Sequence, residues 1–140
     1  VNKLTIYLSH PISGGGTDNL IIQKKNCKKA IEFGEWFRKT WPEVHLYIPA
    51  ESEPFVGNAY KYNFLTISQI LDIDCLILAD CNGILAFCPN GKESAGMSYE
   101  IDFAERVKIP VLKLTQHHLK NKPLLRYCIG NWLDFLKGIK

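Results

Sequence analysis

Short apolar runs rich in β-formers alternate along this chain with longer stretches of helical period, and that alternation restricts the fold more than any other feature. The run KLTIYLSHPI at 3–12 stops at Pro11 and reads as a first buried strand. From about Leu20 to Thr40, Ile22, Cys27, Ala30, Phe33, Gly34 and Phe37 recur near i, i+3, i+4 spacing, which predicts an amphipathic helix ended by Trp41 and Pro42. VHLYIPA at 44–50 is a second strand, and a loop over 51–58 precedes a helix running from about Tyr60 to Leu78. CNGILAFCP at 81–89 is a third strand, 95–107 a helix, IPVLKLT at 109–115 a fourth strand, and about Leu124 to Lys137 a last helix carrying Trp132 and Phe135. This order predicts an α/β fold, a Rossmann-like (flavodoxin-like) parallel sheet of about four to five strands with helices on both faces. Ligands of such sheets bind at the carboxyl ends of the strands, here the loops at 9–19, 50–58 and 89–96.

The length of 140 residues, with 46% hydrophobic and 22% charged residues, is that of one compact domain spanning 1–140. Its longest apolar runs, such as ILAFC at 84–88, are far too short to cross a bilayer, and no secretory leader pattern opens the chain. Five cysteines (Cys27, Cys75, Cys81, Cys88 and Cys128) form no CxxC pair and several lie in apolar runs, which fits a cytoplasmic protein without structural zinc. A net charge of +3, spread rather than blocked, gives little of the field that nucleic-acid binders use. Neither nucleic acid nor membrane is expected as a partner, and an anionic small molecule is compatible with this charge.

Two loops are rich in donors. SHPISGGG places Gly14, Gly15 and Gly16 after a strand and before a helix, where backbone N–H groups can approach an anion; Ser9, His10, Ile12 and Ser13 belong to the same stretch. In ESAGMSYE, Ser94 reads as a helix N-cap, and the backbone of Ala95, Gly96 and Met97 opens a helix toward a second anion position. Glu100 lies four residues beyond Gly96 on the same helix face, while Met97, Ile101 and Ala104 pack toward the sheet. Asp72 and Asp74 are carboxylates on an otherwise apolar helix and need a partner or a function; Asp80 reads as a turn residue, and Tyr7 as a strand tyrosine facing inward or outward. His45, His117 and His118 have no metal-ligand spacing, and no metal or cofactor is expected.

Taken together, these positions resemble the nucleoside 2-deoxyribosyltransferase superfamily, which includes hydrolases of nucleoside 5′-monophosphates. The resemblance covers residues 3–114 and rests on IYLSHPISGGG with Tyr7, on Asn26 and Ala30 in an NxxxA pattern, and on a strand ending in YIPA. It continues with Asp72 and Asp80 spaced D-x7-D, and with Ser94, Gly96 and Glu100 in an S-x-G-x-x-x-E pattern; Asp74 does not fit that spacing.

The resemblance implies that Glu100 is a nucleophile, that Asp72 binds sugar hydroxyls or assists proton transfer to the leaving base, and that Tyr7 orients Glu100. It also implies a homodimer or higher homo-oligomer. Transferases of free nucleosides carry an aspartate where Ser94 stands, so Ser94 together with Gly14–Gly16 implies a nucleotide hydrolase. Thr17 and Asp18 occupy the place of the hydrolases' phosphate-binding arginine, and Glu93 adds negative charge beside Ser94. A nucleoside 2-deoxyribosyltransferase and a non-catalytic nucleotide-binding sensor are the alternatives.

Overall fold

The computed structural model describes residues 3–12 and 20–139. Four parallel strands, β1 (Thr5–Ser9), β2 (His45–Tyr47), β3 (Gly83–Phe87) and β4 (Val111–Leu114), form one sheet in the order β2-β1-β3-β4. Six helices connect or flank them: α1 (Leu20–Thr40), α2 (Glu53–Lys61), α3 (Ile67–Ala79), α4 (Ala95–Arg106), the single turn α5 (Gln116–Leu119) and α6 (Lys122–Gly138). This is the expected α/β, Rossmann-like arrangement, and its strand order reverses direction at β1. The crevice beyond the carboxyl ends of β1 and its neighbours is thus the topological position for a ligand.

Alternation along β1 sorts its side chains between two cores, because successive residues point to opposite faces. Leu4, Ile6 and Leu8 join Phe33 and Phe37 of α1 and Ile129 and Leu133 of α6 in the first core. Tyr7 joins Ile84, Leu78, Met97, Ile101 and Ala104 in the second, roofed by α3 and α4. Tyr7 pairs in register with Tyr47 on one side and Ile84 on the other, so the three share that second face. On the first face the approach of α6 is close: a Cβ at Gly83 would stand 2.8 Å from Trp132 Cζ2, so glycine is what admits the indole there.

The one misplaced stretch is 49–66. In place of a loop followed by one long helix, a 3₁₀ turn (Pro49–Ser52) leads into α2, and α3 starts afresh at Ile67. Pro54 sits at the start of α2, where a missing N–H costs nothing, and Asn63 breaks the chain with φ of 63°. Thr66 and Gln69 then close a reciprocal capping box that restarts the helix. No helix among the described residues is long and apolar enough to cross a membrane. All five cysteines are free.

Candidate functional site

Burying a polar group costs free energy unless it is hydrogen-bonded, so buried polar side chains mark where a fold spends stability. Among the described residues there are four: Ser9, His10, Asn26 and Glu100. All four belong to the carboxyl end of β1 or reach toward it. Glu100 arrives from α4, whose inner face carries Met97, Glu100, Ile101 and Ala104 at helical spacing. It is only 6% exposed.

Tyr7 and Ser9, two residues apart on one face of β1, both donate to that carboxylate. The Tyr7 hydroxyl donates to Oε2 in a short hydrogen bond, and Ser9 Oγ donates to Oε1 at 2.7 Å. The Tyr7 ring is itself held edge-on against Tyr47, with centroids 5.4 Å apart at 89°. Burial pushes the Glu100 carboxyl up from 4.5 to about 7; the two hydroxyls pull it down, and Asp74 adds to the rise. Hydrogen bonds to a charge are each worth about 1.5–3 kcal/mol, yet here two of them do not offset the loss of water. Burial likewise holds the Tyr7 phenol well above its ordinary value, with Glu100 adding to it, so Tyr7 is a donor and not a phenolate.

The second carboxylate whose charge reaches Glu100 is Asp74, not Asp72. Residues two apart on a helix point about 200° away from each other, so α3 turns only one of the pair toward the site. Asp72 is exposed and accepts from the Tyr99 hydroxyl at 3.1 Å on the outer side of α3 and α4. Asp74 is half-buried, and its charge acts on Tyr7, Tyr47 and Glu100. Burial, together with Glu53 of α2, pushes the Asp74 carboxyl up to about 6. Burial also raises Glu53 itself. Asp80 caps α3 and is exposed, as a turn residue would be.

His10 serves the scaffold, contrary to its expected contact with a ligand. Its Nε2 accepts from the Ala50 N–H at 3.1 Å, which leaves Nδ1 to donate to the Pro11 carbonyl at 3.1 Å. Both ring nitrogens are thereby used, and burial lowers its pKa, so the imidazole is a neutral brace between the ends of β1 and β2. Asn26 completes the brace from α1, donating to the Ile12 carbonyl at 3.0 Å. Ser13, Gly14, Gly15 and Gly16 lie outside the described residues.

At the start of α4, Ser94 is the N-cap, its Oγ accepting from the Met97 N–H at 3.2 Å. That satisfies the Met97 N–H, and the Met97 side chain is core, so neither is available to a ligand. The Ser94 hydroxyl proton and the first-turn N–H groups of Ala95 and Gly96 keep donor capacity. A Cβ at Gly96 would meet Leu71 only at an ordinary 3.7 Å, so crowding is not what requires glycine there. The negative charge of Glu93 is drawn off to Lys113 of β4 at 3.4 Å.

Tyr47 and Glu53 are the members of this cluster that the sequence did not single out, and Asp74 is named there only beside Asp72. For Tyr47 the signal was available in the strand pairing of YIPA with YLSHP, which sets it beside Tyr7. Among the described residues no group of three or more His, Cys, Asp or Glu side chains is arranged to hold a metal ion. The chain matches no protein-family model, no curated protein and no solved structure.

Proposed function

We propose that this chain hydrolyses the N-glycosidic bond of a (deoxy)ribonucleoside 5′-monophosphate, releasing free base and (deoxy)ribose 5-phosphate. The observation that carries the reading is Glu100: a buried carboxylate at the strand-order reversal, held by hydroxyl donors on both oxygens and raised to about 7. A buried carboxylate gives up its hydration, so its presence at this position favours a chemical role over a structural one.

In the proposed reaction a Glu100 oxygen attacks C1′ as the C1′–N bond breaks, its electron pair leaving with the base. Asp74, protonated in part near neutrality, supplies the proton that the departing base needs. The resulting glycosyl ester is then hydrolysed by a water whose proton returns to Asp74, regenerating the Glu100 carboxylate. Ser94 and the first turn of α4, with the 13–16 segment, would hold the 5′-phosphate. The pairing of Glu93 with Lys113 favours an anion beside Ser94.

One observation favours a second reading, a nucleoside 2-deoxyribosyltransferase: Asp74 adds negative charge beside Glu100, and Glu53 adds it beside Asp74, which suits an uncharged nucleoside better than a phosphate. Chromatography of the protein incubated with ribo- and deoxyribonucleoside monophosphates and the matching nucleosides separates the two. Base and sugar phosphate should appear from at least one monophosphate without an acceptor base. Release from nucleosides alone, and only with an acceptor, would establish the transferase. A ligand that raises the melting temperature while no base appears from any substrate would leave the non-catalytic sensor.

The same proposal includes a homodimer or higher homo-oligomer. Phe55, Phe64 and Leu76 on α2, the turn before α3 and α3 are 78%, 80% and 71% exposed. Asp72 and Arg106 flank a shallow groove lined by Leu76, Tyr99 and Phe103, a set of one acid and one base that a twofold axis can pair with itself. Light scattering after size exclusion should give at least twice the 16.0 kDa chain mass, and Leu76→Asp should return it to one chain. A wild-type monomer at high micromolar concentration would reject this part of the proposal.

A further inference from the structure

We propose that Ser9 is a positioning residue for Glu100, fixing the plane of its carboxylate by holding the oxygen that Tyr7 does not. The terminal torsion of a glutamate is broad, so a donor on one oxygen leaves the carboxylate free to swing about its last bond. A donor on each oxygen defines the plane. Here both donors come from one rigid strand, on side chains that are fully buried, and the serine contact is 2.7 Å with no water needed to mediate it. Every titratable group among the described residues that acts on Glu100 or is acted on by it is a carboxyl, a phenol or a thiol: Tyr7 on β1, Tyr47 on β2, and Asp74 and Cys75 on α3. Nothing else in that set offers Oε1 a donor. The proposal rests on the reading of Glu100 as the nucleophile, and it also revises the expected role of Ser9, whose hydroxyl is spent on Glu100 and not on the substrate.

The consequence is specific to protonation and geometry. Without the Ser9 hydroxyl, one carboxylate oxygen loses a charge-assisted bond while burial and Asp74 still oppose ionisation. The test is a carbon-13 NMR titration of the glutamate carboxyl groups in the free protein, with Glu100→Gln identifying the Glu100 signal. Ser9→Ala should move the Glu100 midpoint upward by about one pH unit. Ser9→Cys, which keeps the shape but donates weakly, should move it by less and provides the reading if the alanine variant does not fold. Where base release is measurable, the alkaline break of kcat, which the Glu100 midpoint sets because it lies above that of Asp74, should move upward with the titration while KM stays within about twofold.

A Glu100 midpoint unchanged in folded Ser9→Ala, or unchanged in Ser9→Cys where only that variant folds, overturns the proposal. Because the titration uses no substrate, its result is separable from the proposed activity. A chain that cleaves no nucleotide but shows the shift loses its function assignment and keeps the positioning role; a chain that cleaves nucleotides without the shift does the reverse.

Discussion

Glu100→Gln is expected to be more stable than the wild-type protein at pH 8 and to release base from substrate at least about a thousandfold more slowly. The activity loss follows from the chemistry, since an amide cannot capture the sugar carbon. The stability gain follows from linkage. A carboxyl whose pKa rises from 4.5 to about 7 on folding binds a proton more tightly in the folded state, so folding becomes less favourable as pH climbs through that window. Above about pH 7 the full penalty applies, and the shift corresponds to about 3 kcal/mol. Below pH 4.5 the group is protonated in both states and the penalty vanishes. Thermal melts of the two proteins should therefore diverge as pH rises from 4.5 to 7, up to roughly 10 °C, and converge at pH 4. Equal melting temperatures at pH 8 would mean that Glu100 is not a strained carboxylate at all.

Asp74→Asn should lower kcat/KM by about a hundredfold, while Asp72→Asn stays within about twofold of wild type. The two substitutions are chemically identical and two residues apart, so the contrast isolates which face of α3 looks into the site. The pH profile carries the same information. Asp74 is raised to about 6 and Glu100 to about 7, so between those values the two carboxyls hold roughly one proton between them. That singly protonated form contains the productive arrangement, an ionised Glu100 beside a protonated Asp74. Activity should peak there and fall on both sides, and Asp74→Asn should remove the alkaline limb. An Asp72→Asn variant that loses as much activity as Asp74→Asn would put the acid on the wrong side of the helix and reject this assignment.

Why the sequence put Asp72 ahead of Asp74 is a matter of phase. Helix α3 is apolar nearly all round, with Leu71, Ile73, Cys75, Leu76, Ile77 and Leu78 interrupted only by the two aspartates, and Ile73 and Leu76 are exposed. A helix with no polar face gives periodicity nothing to register against, so Asp72 was preferred only through the D-x7-D pattern of the family resemblance. Along β1 the strict period of two set Tyr7 and Ser9 on one face, and along α4 the spacing of Met97, Ile101 and Ala104 marked the inward face, which Glu100 turns out to share. Those elements, the parallel sheet and the helix at 20–40 were legible because a single buried face shaped each pattern. The break at 62–66 was not, since it depends on one left-handed residue and a capping box rather than on hydrophobic period. His10 was misread for a different reason: its role depends on the Ala50 N–H, forty residues away, which no local pattern records.

The central claim is that a Glu100 oxygen bonds to the sugar carbon. A 2-fluoro substituent on the sugar slows both formation and breakdown of a glycosyl ester, so a 2′-fluoro-arabinonucleoside 5′-monophosphate carrying whichever base the protein releases should accumulate as a covalent adduct. Mass spectrometry of the digested protein should then find the fluoro-sugar phosphate on the peptide containing Glu100, and find none in Glu100→Gln. Base release with no adduct on that peptide, or an adduct on another carboxylate, would contradict the account.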